Sequence, residues 1–269
     1  MTQLMTERQD ITERYLSDGV ILIPQLLSPA EIAEIRTVFT EQVEADRSLG
    51  FDDHVPSEDI LARFPRFVHP HRHPEVEAGR LARRLMTDRR IFGVVTELIG
   101  PAYGAQSMFY FKPPTARGQA LHQDNLFLQA HPETCLAAWI AIDDCDAENG
   151  GLMVIPGSHQ IQILCPEDAD PDESFSRATI PVPESAPRVQ TEMKAGDVLF
   201  FHGSLVHGSR SNTSADRFRR SLIFHYIPQT SVEVAQFYIP LLHPDGHEVT
   251  IAESAEGGPC GEGWVNTGP

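Results

Sequence analysis

From about residue 105 onward the chain breaks into short apolar or alternating runs, at 107–111, 136–142, 152–155, 189–193, 198–201 and 221–227. Each has the length of a strand and is too short for an ordinary helix. Turn chemistry separates them, as at Asn149-Gly150-Gly151, Pro156-Gly157 and Ala195-Gly196-Asp197. Strands of this length bury a face only by pairing into sheets that pack on one another. Residues 105–240 are therefore expected to form a double-sheet β barrel of the jelly-roll type, in a mainly β protein with flanking α-helices. Spacing leaves the strand order open.

The preceding residues, 1–104, read as a mainly helical cover. Ile11, Tyr15 and Leu16 share one face of an amphipathic turn that Gly19 ends, and a strand at 20–23 stops at Pro24. Ser28-Pro29-Ala30-Glu31 is a helix start: a capping serine, proline at the first helical position and the glutamate of a capping box. Ile32, Ile35, Val38 and Phe39 supply the buried stripe of that helix. Two more helices are expected near 74–86 and 88–99, with Gly100 as the stop. The acidic, proline-rich segment 166–187 reads as a long surface loop, and the Gly- and Glu-rich tail beyond Gly246, within 241–269, as poorly ordered. One domain spanning 1–269 is the expectation for this length and a hydrophobic share of 41%.

A net charge of −17, spread along the chain, describes a solvated surface and argues against nucleic acid as a partner. Cys135, Cys145, Cys165 and Cys260 lack CxxC spacing, which argues against a zinc knuckle or a disulfide framework and suits a reduced cytoplasm. No early apolar run follows a basic start, and no stretch is long and apolar enough to suggest a membrane span. Oligomeric state has no signature in the sequence.

Twelve histidines make any one His-x-Asp triplet weak evidence, and there are two, His122-Gln123-Asp124 and His243-Pro244-Asp245. The first follows the apolar run at 108–111, where residues one and three of an extended segment point the same way and so can share one ion. The second carries a proline that disfavours a strand interior. Two histidines and one carboxylate make the facial triad of iron(II) oxygenases, which leaves open coordination positions. It needs a second histidine from further along, and His202, His207 and His225 all follow Asp197; His202 and His207 each begin a His-Gly-Ser triplet. His69, His71 and His73, in a polar segment with Pro70 and Pro74, are expected on a surface loop, and His159 as a structural residue.

Lys112-Pro113-Pro114, Leu121-His122-Gln123-Asp124, Trp139, Asn149-Gly150-Gly151-Leu152, Pro156-Gly157-Ser158-His159, Gly196-Asp197, His207-Gly208-Ser209, Asn212 and Arg219-Arg220-Ser221 occur in this order. In them the chain resembles the phytanoyl-CoA dioxygenase family, which includes ectoine hydroxylases. The resemblance implies a double-stranded β-helix core and an enzyme using Fe(II), 2-oxoglutarate and O2 to oxidise a small-molecule substrate. It implies His122, Asp124 and His207 as iron ligands, and Arg219, Ser209, Trp139 and Met108 as contacts of 2-oxoglutarate. Arg219 stands twelve positions after His207 where many members have eleven, implying an insertion within 214–218. Strand alternation does not choose between Arg219 and Arg220, because Ser221 and Ile223 accompany one while Leu222 and Phe224 accompany the other. Asp124 fills the position that related halogenases leave to Gly or Ala, which disfavours halogenation. A non-catalytic binding barrel is the alternative from another class.

Overall fold

The computed structural model describes residues 11–47, 57–132 and 134–254. Its strands are β1 (Val20–Ile23), β2 (Phe67–Val68), β3 (Ala102–Tyr110), β4 (Gln119–His122), β5 (Leu136–Ala141), β6 (Leu152–Val154), β7 (Glu167–Asp168) and β8 (Ala178–Thr179). After these come β9 (Val189–Gln190), β10 (Val198–His202), β11 (His207–Ser209), β12 (Ser221–Pro228), β13 (Glu233–Val234), β14 (Leu241–Leu242), β15 (Glu248–Val249) and β16 (Ala252–Glu253). Helices are α1 (residues 11–18), α2 (Pro29–Ala45), α3 (Ile60–Arg63), α4 (Glu77–Met86), α5 (Arg89–Ile99) and α6 (Asn125–Leu128).

The major sheet runs β1-β10-β5-β12-β3-β14-β15, with β2 on β3, and the minor sheet β4-β11-β6-β9; all these pairings are antiparallel. The central strands of the major sheet are buried on both faces. Ala138, Ile140, Val198, Phe200, Leu222 and Phe224 pack against α2, α4 and α5. Trp139, Leu199, Phe201 and Ile223, one residue out of phase, pack against Leu152 and Val154 of the minor sheet. Period-two alternation thus sorts each strand between a helix-covered face and an inter-sheet face.

At the start of α2 Ser28 Oγ accepts from Glu31 N and Glu31 Oε2 accepts from Ser28 N at 2.9 Å, which completes the expected capping box. Ile32, Ile35, Val38 and Phe39 are buried as expected, and Phe39 stacks on Phe109 of β3 with ring centres 4.1 Å apart. The two later helices start at Glu77 and Arg89, the latter capped by Asp88.

Four expectations change. Residues 166–187 are not simply a loop, because β7 and β8 pair within them. The stretch from 247 to 254 carries β15 on β14 and β16 on β13, so that part of the tail is held by pairing; the rest lies outside the described residues. Cys165 is in a disulfide whose other half lies outside the described residues, against the expectation of reduced thiols, while Cys135 and Cys145 are free and buried. β12 begins at Ser221, so Arg219 and Arg220, weighed above by strand alternation, stand just before the strand. No helix among the described residues is long and apolar enough to cross a membrane.

Gly79 lets α4 press on the turn at Pro70–Arg72, since a Cβ there would overlap the His73 carbonyl. Gly79→Ala should therefore cost about 1–3 kcal/mol by overpacking. Gly93, on the exposed side of α5, has nothing within 4 Å of an added Cβ. Gly93→Ala should instead gain up to about 1 kcal/mol from helix propensity. Urea unfolding of both variants checks the opposite signs, and equal stability of Gly79→Ala and the parent would contradict the close approach.

Candidate metal centre and cosubstrate pocket

His122 ends β4 and faces His207 of β11 in direct register across the minor sheet. Their rings lie 4.2 Å apart, and each Nε2 is 3.5 Å from Asp124 Oδ1. Asp124 is not part of an extended segment as the His-x-Asp spacing suggests. Its backbone is helical (φ −61°, ψ −35°) at the start of α6, and the turn into that helix brings the carboxylate back beside the two rings. Gln123 between them is buried and structural, donating to Ser204 O at 2.8 Å and accepting from Leu164 N at 2.9 Å.

The donor set fits a divalent cation. His122 Nδ1 donates to Ala120 O at 2.8 Å and His207 Nδ1 to Leu205 O at 2.9 Å, which fixes both tautomers with the Nε2 lone pair toward Asp124. The Gln119 side-chain amide, 3.1 Å from His122 Nε2, uses the lone pair that a metal would take. Burial pushes the His207 imidazole down to about 4, so it is neutral near pH 7. Burial opposes the charge of Asp124, but His207, His225 and His122 outweigh this and hold its carboxyl well below the usual range. An ionised carboxylate with a neutral His207 imidazole is the protonation state a metal requires.

A cavity of about 1250 Å³ opens between the sheets, and His122, Asp124, His207, Met108, Trp139, Ser209 and Arg219 all line it. Among the arginines on its wall, Arg219 is the buried one. Arg219 is buried over the Trp139 ring, 5.4 Å from its centre, and its Nη1 donates to Ser221 Oγ at 2.9 Å. The buried Lys112 ammonium donates to Ser209 Oγ at 2.9 Å, to Gly150 O and to Arg210 O. Gly150 O also accepts from Arg219 Nε. Gly150, at φ +72°, is more than a turn residue: a side chain there would strike Lys112. The acceptors that meet Lys112 and Arg219 are carbonyl and hydroxyl oxygens, so the Arg219 guanidinium on the cavity wall is suited to an anion.

The two neighbouring arginines part ways. Arg219 has the parity of Ile223 and enters the inter-sheet cavity. Arg220 has the parity of Leu222 and binds Asp143 at 2.8 and 3.0 Å outside it. His202 lies against Tyr15 and His159 rather than in the cavity, and His159 Nε2 donates to Leu16 O at the α1 end, 3.2 Å away.

His225 was singled out in sequence only as a candidate ligand; here its Nε2 lies 3.0 Å from Asp124 Oδ2. Its parity with Arg219, Ser221 and Ile223 is the signal that places it. His243 and Asp245 meet His247 at the exposed tip of the β14–β15 hairpin, where Asp245 Oδ1 is 2.8 and 2.5 Å from the two Nδ1 atoms. Those are hydrogen-bond separations, and none of the three residues lines the cavity.

The comparisons with known proteins agree with this architecture. Solved structures of the 2-oxoglutarate-dependent epimerase SnoN from nogalamycin biosynthesis (TM-score 0.65, 22% identity, 84% of this chain and 85% of that one) and of EctD from S. alaskensis (0.62, 23%, 81% and 75%) share the fold. A family model described as phytanoyl-CoA dioxygenase matches residues 15–221. The phytanoyl-CoA dioxygenase domain-containing protein 1 of Bos taurus is 38% identical, with 79% of this chain and 87% of that protein covered. The ectoine dioxygenase of Nocardia farcinica is 30% identical over 80% and 77%. The matches to the phytanoyl-CoA dioxygenases of rice and Arabidopsis thaliana span less than half of those proteins. The chain belongs to the phytanoyl-CoA dioxygenase family, whose members are non-haem iron, 2-oxoglutarate-dependent oxygenases.

His69 and His71 are buried and not on a surface loop, because α4 and residues 236–238 cover them; His73 is partly exposed. Burial, with Arg72 adding to it, pushes His69 down to about 2 and His71 to about 3. The unfolded chain protonates each ring near its ordinary value of 6.5, whereas the folded chain resists to far lower pH. Their contribution to stability is therefore complete above the ordinary histidine value and drains as pH falls, by about 1.4 kcal/mol per pH unit for each ring. His69→Phe should remove about one proton's share of that slope, about 1.4 kcal/mol per pH unit, between roughly pH 5.5 and 4. Urea titrations across that range measure it, and an unchanged slope would refute the assignment.

Proposed function

We propose that this protein is an Fe(II)- and 2-oxoglutarate-dependent dioxygenase that hydroxylates or otherwise oxidises a C–H bond of a small-molecule metabolite. The observation that carries this reading is one cavity lined both by His122, Asp124 and His207 and by the buried cation Arg219. When bound, iron would couple the conversion of 2-oxoglutarate and O2 into succinate and CO2 to oxidation of the substrate.

In this reading the chain's residues bind and orient. His122, Asp124 and His207 would hold the metal, and a set of three protein ligands would leave coordination positions open for the 2-keto acid group and oxygen. The guanidinium of Arg219 takes the far carboxylate of 2-oxoglutarate, and Ser209 adds a hydroxyl. Ser209 Oγ already accepts from Lys112, which leaves its own proton to donate. Trp139 and Met108 form apolar walls beside that acid. Residues 168–177 border the cavity on the outside; their backbone is fastened to β4 through Gly118, whose N and O bond Glu173 O and Phe175 N. A roof of this kind limits access of water to the reacting centre.

Anaerobic addition of Fe(II) and then 2-oxoglutarate should produce the visible charge-transfer band of the complex, and admitting oxygen should yield succinate. His122→Ala, Asp124→Ala and His207→Ala should each abolish both, whereas His202→Ala should keep them. Full turnover by His207→Ala would remove it from the ligand set. Losing the charged partner of a buried carboxylate costs roughly 3–5 kcal/mol, or about two to four orders of magnitude in binding. Arg219→Ala should raise the 2-oxoglutarate requirement by that factor while metal still binds. Arg220→Ala, which removes the pair with Asp143 and the contact over Phe218 outside the cavity, should leave it nearly unchanged, and the reverse ranking would transfer the role to Arg220.

A further inference from the structure

The two oxygens of Asp124 do different things. Oδ1 lies 3.5 Å from both His122 Nε2 and His207 Nε2. Oδ2 meets His225 Nε2 at 3.0 Å. His225 is buried and belongs to β12 of the major sheet, so this contact ties the carboxylate across the cavity to the opposite sheet. It stands where pairing with β3 shifts register, between His225 and Tyr226, and such irregularities re-aim a side chain next to a site. An ionised carboxylate only accepts, so the proton between them sits on His225 Nε2. Nδ1 of the same ring has no hydrogen-bond partner among the described residues, so the contact with Asp124 is the polar one that orients it.

We propose that His225 is a positioning residue that holds Asp124 Oδ2 and so presents a single oxygen, Oδ1, to the metal; this rests on the reading of the site as an iron centre. A carboxylate free to turn can offer both oxygens to one ion, and the second would occupy a position that cosubstrate or oxygen needs. The donor on His225 removes that choice. It acts through Asp124 and touches no reactant.

The test compares His225→Leu, which deletes the donor, with two amides of different reach. His225→Gln carries an N–H to about the place of Nε2, and His225→Asn falls short of it. Mn(II) titration of the metal-free proteins, followed by the signal of free Mn(II), reads binding without turnover. His225→Leu and His225→Asn should raise the dissociation constant about 10–100-fold, and His225→Gln should stay within about threefold of the parent. The charge-transfer band of the anaerobic Fe(II) and 2-oxoglutarate complex should shift in the first two variants and return in the third. Thermal midpoints of the metal-free forms separate this from loss of packing, which lowers the midpoint whether or not the side chain reaches Asp124. If the parent binds Mn(II) and Leu and Asn match it, or if Gln is as weak as Leu, the positioning role is overturned. A parent that binds no Mn(II) overturns the iron reading and this proposal with it.

Discussion

Burial of the central strands on both faces is the constraint from which the rest of the molecule follows. Helices α2, α4 and α5 close one side of the major sheet, so every second residue of β5, β10 and β12 is committed to packing. The residues between them are free to face the minor sheet, and only on that side is there room for polar chemistry. Trp139, Arg219 and His225 all lie on the inter-sheet side by parity alone. A one-residue slip of β12 would exchange Arg219 for Arg220 and His225 for Tyr226, turning the whole inter-sheet set of the strand to the helix-covered face.

The same constraint explains what could be read in advance. Most of the strand runs and the α2 capping box are local signals found where spacing puts them, whereas the first His-x-Asp triplet meets its partner histidine through a helical turn that spacing does not show. The choice between Arg219 and Arg220 was invisible because alternation carries meaning only when one face is wet. With Leu222 and Phe224 under helices and Ile223 in the inter-sheet core, both registers look equally apolar. His69 and His71 were misread for a related reason, since a polar segment with two prolines is buried here by α4 and residues 236–238, which lie far away in sequence. His225 was legible in principle, four and six residues beyond Ser221 and Arg219 on one strand face, but its partner Asp124 is 101 positions distant.

Within the cavity wall the buried charges stand on neutral groups. Asp124 sits among imidazoles, and Arg219 is held by carbonyl and hydroxyl oxygens that it shares with the neighbouring Lys112 network. Burial, then Arg219, pushes the Lys112 ammonium well below its ordinary range. A dianionic ligand in the cavity would meet the Arg219 guanidinium with one carboxylate and a metal with the other. The overall charge of −17 says nothing of this arrangement, because it is carried by the surface.

The border of the cavity is built from a different part of the chain than its floor. The His122, Asp124 and His207 set comes from β4, β11 and the turn into α6, whereas residues 168–177 belong to the segment around β7 and β8. Arg117 joins that segment to the helical cover, with one guanidinium bonding Pro171 O, Ser174 O and Asp59 Oδ2. Mutation can therefore reshape the outer wall, residue by residue, while the reactive centre keeps its geometry. Within such a scaffold, descendants that act on different molecules can arise without passing through an inactive ancestor.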